Sequence, residues 1–224
     1  MTTDVQAAPE AAREIDAVLF DCDGVLIDSE TIATRSMHRS VQRLGLDYTE
    51  QQVAEKFTGH SWPECLAMVE AELGGPLPDS FMADNNAFFN RTLREELTTM
   101  VGIERVLAGL SLPFAVVTNS RHAELQLKLE VAGLHGFFPQ DRRFDSETLG
   151  VAKPDPAIYR QAAERLQIDI RRCLVVEDSL PGLTAASQAG AQVWAYRPQV
   201  PARVLSSLAV RQTLSHWQEF PAHL

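Results

Sequence analysis

The sequence predicts an α/β protein: a parallel-sheet core with helices on both faces, interrupted after its first strand by an all-helical block. Three observations predict it. Short apolar runs alternate with helical stretches of roughly 10–15 residues, the pattern of βαβ units. Residues from about 30 to 97 carry helical signals and no convincing strand. Polar clusters stand directly behind three of the apolar runs, at Asp21-Cys22-Asp23, Thr118-Asn119-Ser120 and Glu177-Asp178-Ser179.

The elements follow in chain order. Ile15–Phe20 is a short apolar run stopped by Asp-Cys-Asp-Gly, a buried strand ended by a turn. In the helical block, Ser61-Trp62-Pro63-Glu64 has a capping-box pattern, and the helix it opens runs through Leu66, Val69 and Leu73 to Gly74-Gly75-Pro76. A further helix is expected from Asp79 to Leu97, and another from Ile103 to Leu110. Phe114–Val117 is the second strand, helix 121–132 is closed by Gly133, and a weaker extended segment lies near Phe144. Helix 156–167 precedes the strand Cys173–Val176. Helix 181–189, with Pro181 at its first position, is closed by Gly190, and Val193–Tyr196 is expected to be the last strand.

Composition bounds the function. The chain has 224 residues, 45% hydrophobic and 22% charged, enough for a packed core without disulfides. A net charge of −10 makes it a poor partner for nucleic acid or an anionic membrane, both polyanions. Cys22, Cys65 and Cys173 are scattered, without the spacing of a zinc site or a disulfide framework, and Cys22 and Cys173 read as buried thiols. Residues 1–13 are small and polar and read as a disordered tail. No run of about 18 apolar residues and no apolar targeting segment is present, so a cytoplasmic location is the expectation, and the chain is expected to be a monomer.

In an open parallel sheet, ligands bind outside the carboxyl ends of the strands. Asp, Asn and Ser there are also ordinary turn formers and helix caps. That reading leaves unexplained why two of the three clusters bring paired acids, which would repel one another without a cation between them. Oxygen ligands suit Mg²⁺, with Asp21 and Asp178 as its side chains and Glu177 as a further ligand or a supporting partner. Along an extended segment Asp21 and Asp23 project one way, and Cys22 the other, toward the core.

Asp21-Cys22-Asp23-Gly24-Val25-Leu26-Ile27-Asp28-Ser29 resembles the first signature of the haloacid dehalogenase superfamily. Val116-Val117-Thr118-Asn119-Ser120, Lys153-Pro154-Asp155-Pro156, and Val175-Val176-Glu177-Asp178-Ser179 with Gly182 and Gly190 resemble the other three, in order. The resemblance spans about residues 15 to 200 and is to the helical-cap branch, which holds phosphoglycolate phosphatases, sugar-phosphate phosphatases and β-phosphoglucomutases. It implies a Rossmann-like core (14–29 and 97–224) and an inserted α-helical cap domain (30–96), with hinges near 28–31 and 96–101.

It also implies roles. Asp21 attacks phosphorus and Asp23 protonates the leaving oxygen, lending its backbone carbonyl to the metal. Thr118 and the Asn119 amide, at a helix start, hold the phosphoryl oxygens, and Lys153 pairs with Asp21 and the phosphoryl group. Dehalogenases of this type lack the acid at Asp23, and phosphonatases use a cap lysine, for which Lys56 is a poor basis. The mutases carry a histidine where this chain has Ala33 and a phosphate-binding arginine where it has Trp62, although Arg35 stands nearby. The expected activity is therefore Mg²⁺-dependent hydrolysis of a small phosphorylated metabolite, with mutase chemistry as the alternative and a non-catalytic module as a third reading. The loop Thr58–Trp62 is expected to face the substrate, with His60 and Trp62 as candidates, although an ordinary loop or packing role is the favoured reading of each.

Overall fold

The computed structural model describes residues 14–57, 62–222 and 224. The tail 1–13, Ser61 of the capping box and His60 lie outside the described residues. The elements in order are β1 (Ala17–Phe20), β2 (Ile27–Asp28), α1 (Glu30–Arg43), α2 (Glu50–Phe57), α3 (Trp62–Leu73), α4 (Phe81–Glu96) and β3 (Thr98–Thr99). They continue with α5 (Ile103–Gly109), β4 (Phe114–Thr118), α6 (His122–Val131), β5 (Arg143–Asp145), α7 (Ser146–Leu149) and α8 (Ala157–Arg165). The chain closes with β6 (Cys173–Glu177), α9 (Leu180–Ala189), β7 (Gln192–Tyr196), α10 (Ala202–Ser207) and β8 (Val210–Leu214).

Six strands form one parallel sheet in the order β5-β4-β1-β6-β7-β8. Counted along the sheet strands alone, this is the doubly wound 3-2-1-4-5-6 order, and the direction of winding reverses at β1. Alternation along β1 divides the core. Val18, Phe20 and Cys22 face a layer built with Leu125, Leu129 and Trp217, whereas Ala17 and Leu19 face Ile158, Tyr159 and Leu183. Every residue of β1, β4 and β6 is buried, as expected of a parallel sheet covered on both faces. All three cysteines are buried thiols outside any disulfide.

The sheet extends one strand beyond the expected last one at Val193–Tyr196. β8 pairs in parallel with β7, and in its Val-Arg-Gln-Thr-Leu only Leu214 is buried. An edge strand with one covered position has too weak an apolar pattern to be read locally. Beyond it, Trp217 is fully buried, stacks on Tyr196 at 4.5 Å, and donates its indole N–H to the Val25 carbonyl at 3.1 Å.

Helices α1–α4 stand between β2 and β3 in the chain; α1, α2 and α3 share a small apolar core of Met37, Val41, Val53, Phe57, Cys65 and Val69, whereas Leu93 of α4 joins the main core with Ile32 of α1. The two chain crossings pair with each other, since β2 and β3 form an antiparallel ribbon with Ile27 opposite Thr99 and Asp28 opposite Thr98. Among the described residues, no helix is long and apolar enough to cross a membrane.

Candidate active site

The carboxyl ends of β1, β4 and β6 deliver the three polar clusters to one edge. Asp21 follows β1 directly, its amide donating to the Val176 carbonyl at 3.0 Å. The chain then folds back tightly: the amides of Leu26 and Ile27 donate to the Cys22 carbonyl, and the Gly24 amide donates to Ile27. Gly24 has φ +75°, and a Cβ there would sit 2.0 Å from Asp178 Oδ2, so two needs select glycine at one position.

Lys153 is buried, and its ammonium hydrogen-bonds both Asp21 and Glu177. Asn119 positions it. The Lys153 amide donates to Asn119 Oδ1 at 2.8 Å, and Asn119 Nδ2 donates to the Lys153 carbonyl at 3.1 Å. Asn119 lies between the end of β4 at Thr118 and the start of α6 at His122. Its observed contacts are side-chain bonds that hold the lysine loop against β4. Thr118 ends β4, buried, and its Oγ1 accepts from the Ser120 amide at 3.0 Å.

Glu177 is fully buried and its oxygens are taken. Oε1 accepts from Lys153 and from the Tyr159 hydroxyl at 2.8 Å, and Oε2 accepts from the amides of Asp178 and Ser179 and the Ser179 hydroxyl. Gly182 closes over it, because a Cβ there would lie 1.8 Å from Oε1. Ser179 caps α9, which places Pro181 one position further into the helix than expected.

Asp23 is held from three elements. Ser29 at the start of α1 donates to Oδ1, Ser120 donates to Oδ2 at 3.2 Å, and Lys128 of α6 lies 2.9 Å from Oδ2 and 2.8 Å from Oδ1. Lys128, Tyr159 and Ser120 carry no role in the sequence reading. One signal for Lys128 was available: the chain has three lysines, Lys56, Lys128 and Lys153, against seventeen arginines.

The electrostatics follow from burial. Burial raises the Asp21 carboxyl most, Lys153 opposes it, and Glu177 and Asp23 add to the rise, leaving it at about 7. Burial, then the charges of Glu177 and Asp21, push Asp178 up to about 9. Burial also acts to raise Asp23, but Lys128, with hydrogen bonds from Lys128, Ser29 and Ser120, outweighs it and holds Asp23 below its usual range. Asp21, Glu177 and Asp178 each offer an oxygen within 4.8 Å of the others, the described cluster fit for a cation.

A cavity of about 470 Å³ opens over Asp21, Asp23, Lys153 and Asp178, with Ala33 and Phe89 of the helical block on its far wall. Trp62 stands at the start of α3, 38% exposed, and is not among the residues described as lining this cavity. Arg35 pairs with Glu96.

A family model described as haloacid dehalogenase-like hydrolase matches residues 15–190. The 6-phosphogluconate phosphatase of Escherichia coli (strain K12) is 30% identical over 182 residues, 80% of this chain and 81% of that protein. A phosphoglycolate phosphatase of Neisseria meningitidis is 30% identical over 192 residues, 80% of this chain and 79% of that protein. A crystal structure of a HAD family hydrolase from Deinococcus radiodurans R1, with bound phosphate and sodium, superposes with a TM-score of 0.79 at 33% identity, covering 93% of this chain and 94% of that one.

Proposed function

Because the chain belongs to the haloacid dehalogenase-like hydrolase family, we propose that it is a Mg²⁺-dependent phosphatase that hydrolyses small phosphate monoesters through a phosphorylated Asp21. One observation carries the reading: Asp21 and Asp23 stand side by side on one cavity, each gripped by its own buried lysine. The substrate would be a sugar phosphate or an organic-acid phosphate, met in the cytoplasm by a monomer. Residues 30–96 would serve as a cap, with the β2–β3 ribbon as its hinge.

In the first half-reaction the Asp21 carboxylate attacks phosphorus, the ester P–O bond breaks, and Asp23, ionised in the free chain, relays to the departing oxygen the proton that arrives on the phosphate monoanion. In the second, Asp23 takes a proton from water, the hydroxide attacks phosphorus, and the bond to Asp21 breaks. Lys153 stabilises charge on the transferring group, with Thr118 and the Asn119 amide as further donors to it. Mg²⁺ would be held by Asp21, Asp178 and the Asp23 backbone carbonyl, and when bound it shields the phosphate charge from the incoming carboxylate. The donor set fits. Lys153 answers Asp21 and Glu177, which leaves Asp178 as a largely buried carboxyl pushed up by its neighbours. Glu177, already accepting five hydrogen bonds, supports Lys153 and the Asp178 loop in preference to binding the ion itself.

A proton linkage follows. Without metal, Asp21 and Asp178 lie at about 7 and about 9, above the ordinary value of 3.8, so the folded chain holds protons the unfolded chain has released. Metal-free stability is then expected to fall as pH rises from 4 toward 9. Mg²⁺ needs both carboxylates ionised, so binding at neutral pH should release roughly one to two protons. Calorimetry in buffers of different ionisation enthalpy measures this. Proton-neutral binding, or full turnover in EDTA or with Ca²⁺ alone, would remove the metal site from the mechanism.

The hydrolytic reading is tested against the mutase by incubation with β-glucose 1-phosphate, Mg²⁺ and a trace of the bisphosphate. Free phosphate is expected, without accumulation of glucose 6-phosphate. A mutase must grip a second phosphate from the cap, and here Ala33 lines the cavity while Arg35 is engaged by Glu96. Efficient conversion to glucose 6-phosphate would replace hydrolysis with mutase chemistry and leave the role of Asp21 intact.

A further inference from the structure

The ammonium of Lys128 lies almost wholly buried on α6, under a carboxylate that precedes it by 105 residues. A buried lysine is rare unless paired, and its three N–H donors must be answered. They are: by Asp23, by the Ser120 hydroxyl at 2.8 Å, and by Glu124 one helical turn earlier. With every donor spent inside the protein, Lys128 has none left for a substrate anion, although it borders the cavity. Its position instead straddles both oxygens of Asp23, at 2.8 and 2.9 Å, while the Asp23 side chain remains 34% exposed on the cavity side. We propose that Lys128, with Ser120 as its bridge, is the positioning residue that aims the Asp23 carboxyl at the leaving-group oxygen.

The proposal rests on the phosphatase reading and refines it. A carboxyl anchored by Ser29 alone could swing with α1, because Ser29 is the residue from which that helix starts. Lys128 and Ser120 belong to the core and tie Asp23 to the same body as Asp21. Proton transfer demands hydrogen-bond distance to the departing oxygen, and misplacement of about 1 Å is costly. Composition agrees with a dedicated use of lysine, a compact point charge, where arginine serves elsewhere. Two of the chain's three lysines stand at the two reacting aspartates, and the third, Lys56, pairs with Glu72.

The test compares two esters. β-Glycerophosphate has a poor alkoxide leaving group that needs a proton; 4-nitrophenyl phosphate has a good one that does not. kcat/KM reports the first half-reaction, transfer to Asp21. For Lys128→Met, kcat/KM on β-glycerophosphate, read at each variant's own optimum pH, should fall about tenfold or more beyond any loss on 4-nitrophenyl phosphate. Lys128→Arg, which can also donate to both oxygens, should keep the ratio of the two losses within about threefold of the wild type. Ser120→Ala removes the bridge without removing a charge, and should shift the ratio in the same direction by a smaller factor. It decides the matter if Lys128→Met does not fold by circular dichroism. Equal losses on both esters in folded variants would overturn the assignment. Failure of the wild-type protein to hydrolyse either ester would instead count against the phosphatase reading.

Discussion

Asp21→Asn is expected to lower kcat by about 10⁴-fold or more on any phosphate monoester while leaving the fold standing. The amide has the shape of the carboxyl but no charge with which to attack phosphorus, and the variant cannot form the covalent intermediate. The fold should tolerate it because Asp21 is not held by its charge alone. Its backbone is fixed by the β1 ladder and by the bond to Val176, and burial already disfavours the ionised side chain. Melting temperature in EDTA should therefore change little, whereas the stabilisation by Mg²⁺ should shrink, since one negative ligand is gone. Retention of more than a few per cent of wild-type turnover in a contaminant-free preparation would show that another group is the nucleophile. A collapse of the metal-free melting temperature would show that Asp21 is structural as well.

Gly182→Ala is expected to be strongly destabilising although it adds a single methyl group. The added methyl would lie 1.8 Å from Glu177 Oε1 and 2.3 Å from Oε2. A carboxylate at the end of a free side chain would move aside cheaply. Glu177 cannot, because Tyr159, Lys153, Ser179 and two backbone amides hold it in place. Displacing it would strip Lys153 of one carboxylate and leave a buried tyrosine hydroxyl unanswered, a loss of about 3–5 kcal/mol by analogy with other broken buried pairs. Activity should drop together with stability, because Lys153 also serves Asp21. Gly75→Ala, with nothing within 4 Å of its added Cβ, is the control and should be nearly silent. Urea unfolding of the two variants settles it: a cost below about 1 kcal/mol for Gly182→Ala would mean that the Glu177 network yields more easily than its contacts imply.

Both expectations begin from positions that stand out in the sequence, but for different reasons. Asp21 is legible because it breaks an apolar run at the point where a strand must end. Gly182 is legible only as part of a signature; that glycine is required because Glu177 turns back beneath α9 is visible only in the folded chain. The same holds for Gly24, where the turn explains a positive φ but not the approach of Asp178. Asn119 shows the opposite case. Its place behind a strand is read correctly, yet its side chain spends itself on Lys153, 34 residues away.

The sequence by itself determined the class of fold, the order of β1, β4, β6 and β7 with their helices, the helical block between residues 30 and 97, and the three clusters at the strand ends. Each of these is written in a window of a few residues, where apolar period, turn formers and strand length speak for themselves. Only the tertiary structure decided that Val210–Leu214 closes the sheet, that Lys128 reaches Asp23, and that Tyr159 and Lys153 meet on Glu177. An edge strand covered on one residue has almost no local pattern. The Lys128 charge has none either, because what makes its burial tolerable is a partner delivered from a distant element, and neither sequence position carries the address of the other.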